Sequence, residues 1–222
     1  MKVIKKRNEN SLIIEFIEIF KREISKKKIK RKRLSFVLTG GPSPKRLYEK
    51  LAKSKIDWSN VDLFWGDERF VSDYSKDSNF RLVNDLLIKK INIKKNNIFP
   101  FSKYKNNISK CAVDYGNNIK KYFKNKKIKF DIFLLGMGND GHVVSIFPNS
   151  NEIRDNFIAR PIFRKDFKRI TLSLNLINNS QKIFLWLNNK TKTNIYKKLS
   201  GKGIEIPINN INKKNLIFFM IN

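Results

Sequence analysis

Cysteine and histidine are almost missing from this chain, with Cys111 and His142 as single occurrences among 222 residues. A lone cysteine excludes an internal disulfide, and one histidine without a second cysteine removes the usual zinc-ligand spacings. We therefore expect no metal and a reducing, cytoplasmic setting. Long apolar runs are lacking too. The stretch NSLIIEFIEIFKREISKKK has acidic residues inside its apolar pattern and no small-residue cleavage site, so it reads as an amphipathic first helix, not a signal peptide or a membrane span. Nine glycines and six prolines form no linker, and no repeat or low-complexity tract divides the chain. A single domain over residues 1–222 is expected.

Acidic residues are few: 19 Asp and Glu against 48 Lys and Arg, a formal charge of +29. Such an excess raises nucleic-acid binding as a reading. The lysines, however, run through most helices and loops together with Asn and Ile, and Trp58, Trp65 and Trp186 stand in apolar contexts instead of being interleaved with basic residues. A composition bias accounts for this better than a binding stripe, so neither nucleic acid nor membrane is expected as a partner. The charge does favour small anionic substrates by steering them.

What is present is a folded protein's complement of apolar residues, 41% hydrophobic with 12% aromatic. Short apolar runs suited to buried strands recur as LSFVL, VDLFW, FDIFLL, RITLSL, KIFLWL and LIFFMI. Helical patterns separate most of them: PKRLYEKLAKS, NFRLVNDLLIKKI, ISKCAVDYGNNIKKYF and TKTNIYKKLSG, the last with Gly201 as C-cap. Alternation of this kind predicts an α/β fold, a mostly parallel sheet with helices on both faces, in which ligands collect at the carboxyl ends of the strands.

Three loops follow strands there. TGGPSPK offers backbone at Gly40 and Gly41 and a helix start at Ser43 or Pro44, which suits either an anion or a plain helix start with a Ser N-cap and a Pro at the first position. It lacks the G-x-x-x-x-G-K-[ST] arrangement of a nucleotide triphosphate loop. GDERF sets Asp67, Glu68 and Arg69 at the sheet edge, either as a structural ion pair or with Arg69 facing a substrate's negative charge. Ser78 and Asn79 are expected to cap the helix after it. GMGNDGHVVSIFP spaces Gly136, Gly138 and Gly141 as G-x-G-x-x-G, but no long helix follows before Pro148 and no acidic residue stands about twenty positions on, so the dinucleotide reading is set aside. The glycines are expected to bend the chain so that Asp140 and His142 project, with His142 either a structural residue or a proton-transfer group. Ser145 reads as a helix or turn partner, not a nucleophile.

Taken together, TGGPSP, FWGDERF with DSN, LLGMGNDGHVVSIFP and KRITLSLNLIN resemble the 6-phosphogluconolactonase family, in order and at similar separations. The resemblance implies the Rossmann-like fold of the sugar-phosphate deaminase and isomerase type, hydrolysis of a sugar-phosphate lactone without any cofactor, and a monomer or weak homo-oligomer. It implies His142 as general base with Asp140 beside it, and Arg69 and Asp67 as further active-site residues, Arg69 meeting either the phosphate or the lactone end. Phosphate binding is implied for Gly40, Gly41, Ser43, Arg169 and Lys192, with Lys190 the alternative to Lys192 because NNKTK replaces a Gly-containing turn. Pro42 stands where the family often has a hydroxyl residue, and Asn139 where proline is common. A sugar-phosphate isomerase or deaminase of the same fold is the rival, disfavoured because VVSIFPN follows Gly141-His142 where those deaminases carry an AFNEP-like element.

Overall fold

The computed structural model describes residues 2–101, 107–201 and 203–222. Its main sheet is built from β1 (Lys2–Lys6), β2 (Leu34–Leu38), β3 (Val61–Trp65), β5 (Ile98–Phe99), β6 (Ile132–Leu135), β9 (Lys182–Leu187) and β10 (Leu216–Ile221), ordered β1-β10-β9-β6-β2-β3-β5. Every pairing in it is parallel. The central strands are buried along their whole length, which is why LSFVL, VDLFW and IFLL read as continuous apolar runs without alternation.

Helices cover both faces, and the register shows how. Phe16 of α1 (Glu9–Ile29) packs against Phe36, Phe184, Trp186 and Phe219. Successive strand residues point to opposite faces, so the neighbour Phe218 faces away and meets Tyr196 of α6 (Lys190–Ser200), while Phe64 meets Tyr122 of α4 (Ile108–Tyr122). Burial of each such ring contributes about 1.5–3 kcal/mol. On the α1 side, α2 (Lys45–Lys53) and α3 (Asn79–Leu86) complete the layer, Phe80 of α3 lying against Trp65.

A second, antiparallel sheet was not foreseen. It pairs β4 (Asp67–Arg69) with β8 (Lys168–Leu172) and β8 with β7 (Ala159–Phe163). RITLSL is therefore a strand, as expected, but of this small sheet and not of the parallel one. β4 was read as loop because DER has no apolar alternation; its strand geometry comes from its partner. Two further differences are local. The helix expected over NFRLVNDLLIKKI ends at Leu86 and a 3₁₀ turn takes over at Ile88–Lys90. A short helix, α5 (Leu174–Asn179), stands where none was read. Gly201 is the C-cap of α6 as expected, at φ −93.

No helix among the described residues is long and apolar enough to cross a membrane.

Candidate active site

In the order β9-β6-β2-β3 the carboxyl ends of four strands lie side by side, so the loops that follow them form one rim. Two buried phenols hold that rim where the ladder stops. Tyr48 of α2 accepts from the Thr39 N–H at 3.1 Å and donates to the Thr39 carbonyl at 2.6 Å. Tyr115 of α4 does the same for Trp65, at 2.9 and 3.0 Å. Burial pushes both hydroxyls well above the usual tyrosine range, so they remain protonated donors.

After β2 the chain turns at Gly41, φ +79, a region glycine enters without steric cost. Gly40 is glycine for another reason: a Cβ there would meet the Asn79 Oδ1 at 1.7 Å. Trp186 donates from Nε1 to the Ser43 carbonyl at 3.2 Å and tethers the loop. The expected Ser N-cap and N1 proline are corrected here. Pro44 itself occupies the cap position of α2, and no side chain caps that helix.

The three charges of GDER reach different elements. Glu68 accepts from the backbone N–H of Arg69, Asn79 and Phe80 and from the Ser78 hydroxyl, so it fixes the start of α3, together with Ser78, whose hydroxyl accepts from Arg81 N–H. Ser78 is thus the expected N-cap. Asn79 is not a cap but a donor to Asp67, at 3.0 Å to the carbonyl and 3.4 Å to Oδ1. Arg69 donates to the Asp77 carbonyl at 2.9 Å. Across the β4–β8 ladder it sits directly opposite Arg169.

The third loop presents the histidine. His142 Nδ1 lies 2.6 Å from Asp140 Oδ1, and that bond holds the Asp140 carboxyl down at about 2, below the usual carboxylate range. Asp140 is therefore an anion at neutral pH, and its bond favours, in a neutral imidazole, the tautomer with the proton on Nδ1 and Nε2 as acceptor. The ring rests on Phe147, centroids 4.8 Å apart. Two of the three glycines have a direct structural reason. A Cβ on Gly138 would lie 2.3 Å from the imidazole, and Gly141 has φ +94 with Leu199 and Ile206 pressed against it.

These loops and β8 enclose an open cleft of about 150 Å³. Gly40, Gly41, Ser43, Asp67, Arg69, His142, Arg169 and Lys192 all line it. Asp140 does not; it sits behind the ring and borders an adjoining depression of about 710 Å³ that shares Pro42, Ser43, His142 and Lys192 with the cleft. Of the two candidate lysines, Lys192 is on the wall and Lys190 is not. Lys192 donates to the Met137 carbonyl at 2.8 Å and to Asn139 Oδ1 at 2.7 Å, and burial lowers its pKa, opposed by Asp140. Arg169 is 5% exposed, is flanked by the rings of Phe147 and Phe167, and donates from Nη2 to Asp166 at 2.5 Å. Its buried Nε has no hydrogen-bond partner among the described residues. Like charges directly opposite on paired strands repel, so the Arg69–Arg169 pair and the unused Nε make an environment suited to an anion.

Asn79 and Ser145 were the underestimated residues. Ser145 was expected to serve its own turn; its hydroxyl instead donates to Asp67 Oδ2 at 2.6 Å, across 78 residues of sequence. Only the DSN pattern hinted at Asn79, and nothing local marks Ser145.

A family model described as glucosamine-6-phosphate isomerases/6-phosphogluconolactonase matches residues 7–219. The chain is 34% identical over 157 residues to the 6-phosphogluconolactonase of Nostoc sp., an alignment covering 68% of this chain and 65%, just under two thirds, of that relative. It is 30% identical to the 6-phosphogluconolactonase of Thermotoga maritima over 188 residues, 84% of this chain and 83% of that one. The crystal structure of a 6-phosphogluconolactonase from Thermotoga maritima superposes with a TM-score of 0.86 at 25% identity, covering 99% of this chain and 98% of the other.

Proposed function

The chain belongs to the glucosamine-6-phosphate isomerase/6-phosphogluconolactonase family, and from that premise we propose that it hydrolyses 6-phospho-D-glucono-1,5-lactone to 6-phospho-D-gluconate in the oxidative pentose phosphate pathway, as a single cytoplasmic domain over residues 1–222. The observation that carries the mechanism is the Asp140–His142 contact at Nδ1, on a ring that lines the cleft. His142 takes a proton from water as the water oxygen attacks the lactone carbonyl carbon. The tetrahedral oxyanion is stabilised by a cation of the cleft, and the ring C–O bond breaks as the imidazolium returns its proton to the departing ring oxygen. Asp140 keeps the imidazole in the required tautomer and offsets its charge while it is protonated. Each step uses side chains and water, so no cofactor is required.

The phosphate is placed against Arg169, with the Gly40–Gly41–Ser43 loop and Lys192 around it; the unpartnered Nε and the opposed Arg69 support this placement. Arg69 is left to either end of the substrate. Charge-assisted hydrogen bonds contribute about 1.5–3 kcal/mol, so Arg169→Gln should weaken binding of the phosphorylated lactone by about tenfold or more. Glucono-δ-lactone without phosphate should be handled poorly by the wild type and barely affected by the substitution. Equal losses on both lactones would make Arg169 structural. Arg169 is a cleaner probe than Lys192, whose ammonium also holds the Met137–Asn139 turn.

The direct test is lactone opening by the purified protein at mildly acidic to neutral pH, where spontaneous hydrolysis is slower, with glucosamine 6-phosphate assayed alongside. A lactone rate well above background is expected. A rate equal to background would remove the lactonase reading, and turnover of the aminosugar phosphate would install its rival.

A further inference from the structure

The turn after His142 has a backbone that needs a reason. Val143 and Ile146 exchange two hydrogen bonds, at 3.2 and 3.0 Å, and close a tight turn in which Val144 adopts φ +47. For a β-branched residue this is an outlier held in place only by its surroundings. Those surroundings are visible: Val144 is 5% exposed, and Gly66 lacks the Cβ that its Cγ1 would meet at 2.9 Å.

What the strained turn delivers is Ser145. Its side chain is fully buried, its N–H donates to the Thr171 hydroxyl at 3.2 Å, and its own hydroxyl donates to Asp67 Oδ2 at 2.6 Å. Some serines here bond locally, while Ser35 and Ser78 reach carboxylates on other elements, Asp131 and Glu68, at 3.1 and 3.2 Å. Of the local ones, Ser54, Ser180 and Ser200 each donate to the carbonyl four residues back. Ser145 also reaches a different element, at the length of a charge-assisted O–H···O bond. Asp67 is gripped from a second side by Asn79, which is itself seated in the space that glycine leaves at position 40. Two glycines and one strained valine thus converge on the placement of a single cleft-lining carboxylate.

We propose that Ser145 is a positioning residue for the reaction: through Oδ2 it fixes the Asp67 carboxylate so that Oδ1 is presented to the cleft as an acceptor for a hydroxyl group of the polyhydroxylated substrate. A carboxylate offers only acceptors. With Oδ2 engaged by Ser145 and Oδ1 met, among the described residues, by the long 3.4 Å contact from Asn79, most of the remaining acceptor capacity lies on Oδ1. Ser145 touches no substrate and acts only through Asp67.

The proposal rests on the lactonase reading, and a double-mutant cycle separates the two. Lactone turnover, KM and melting temperature are measured for wild type, Ser145→Ala, Asp67→Asn and the double variant. With Asp67 present, Ser145→Ala should lower kcat/KM about tenfold; in the Asp67→Asn background its further effect should be less than about twofold, because residues acting through one contact do not add. If Ser145→Ala does not fold, Ser145→Cys, which retains volume and only a weak donor, takes its place in the same cycle. Equal losses in both backgrounds would show a structural serine and overturn the proposal. Full activity of Asp67→Asn would overturn it as well, by removing Asp67 from the site. A wild type without lactone turnover would instead defeat the underlying functional reading.

Discussion

His142→Asn should lower lactone turnover by about a hundred- to ten-thousandfold, the scale expected for loss of a general base. The imidazole is the only one in the chain, so no second histidine substitutes for it. Phosphate recognition is assigned to Arg169 and its neighbours on other elements, so apparent substrate affinity should change far less than kcat, as it does when an interaction made chiefly in the transition state is removed. Inorganic phosphate binding, followed by calorimetry, should be nearly unaltered. Asp140→Asn should produce a smaller loss, because an amide can still contact the ring but cannot offset the charge of an imidazolium. Near-normal turnover in a folded His142→Asn protein would make the histidine structural.

Gly138→Ala should be almost as damaging, with turnover falling about a hundredfold. The added methyl would stand 2.3 Å from the imidazole Cε1 and Nδ1 and 2.5 Å from Asp140 Oδ1, well inside van der Waals contact, so the ring and its carboxylate must both shift. A displacement near 1 Å at a catalytic group costs about a hundredfold. Gly138 is not among the residues at positive φ, so alanine introduces no backbone strain there and the loss reports on the imidazole itself. The melting temperature should hardly move, since Gly138 is only half-buried at the cleft edge. If turnover survives in Gly138→Ala, the ring is not held where the mechanism needs it, and the glycine spacing G-x-G-x-x-G would have to be explained by something other than His142.

Much of this was readable along the chain, and for a consistent reason. Strands β2, β3 and β6 are buried on both faces, so their burial is written as uninterrupted apolar letters, and the loops after them carry glycine and charge because they must turn and meet solvent or ligand at the sheet edge. The alternation of those runs with helical periods was enough for an α/β fold, and the three loops were enough to point to one rim, where Gly40, Asp67 and His142 line a common cleft. Local chemistry also marked Ser78 as a helix cap. What the chain could not announce were properties of pairs set by strand order and register. β4 is a strand only because β8 lies against it, and that pairing alone puts Arg69 opposite Arg169. Lys192 reaches the His142 loop while Lys190 does not, a difference decided by which side of α6 faces the rim. Ser145 meets Asp67 because β6 and β3 flank β2, bringing together residues 78 positions apart. Composition and periodicity record how deeply each residue is buried; which distant residue it is buried against is decided only when the sheet is assembled.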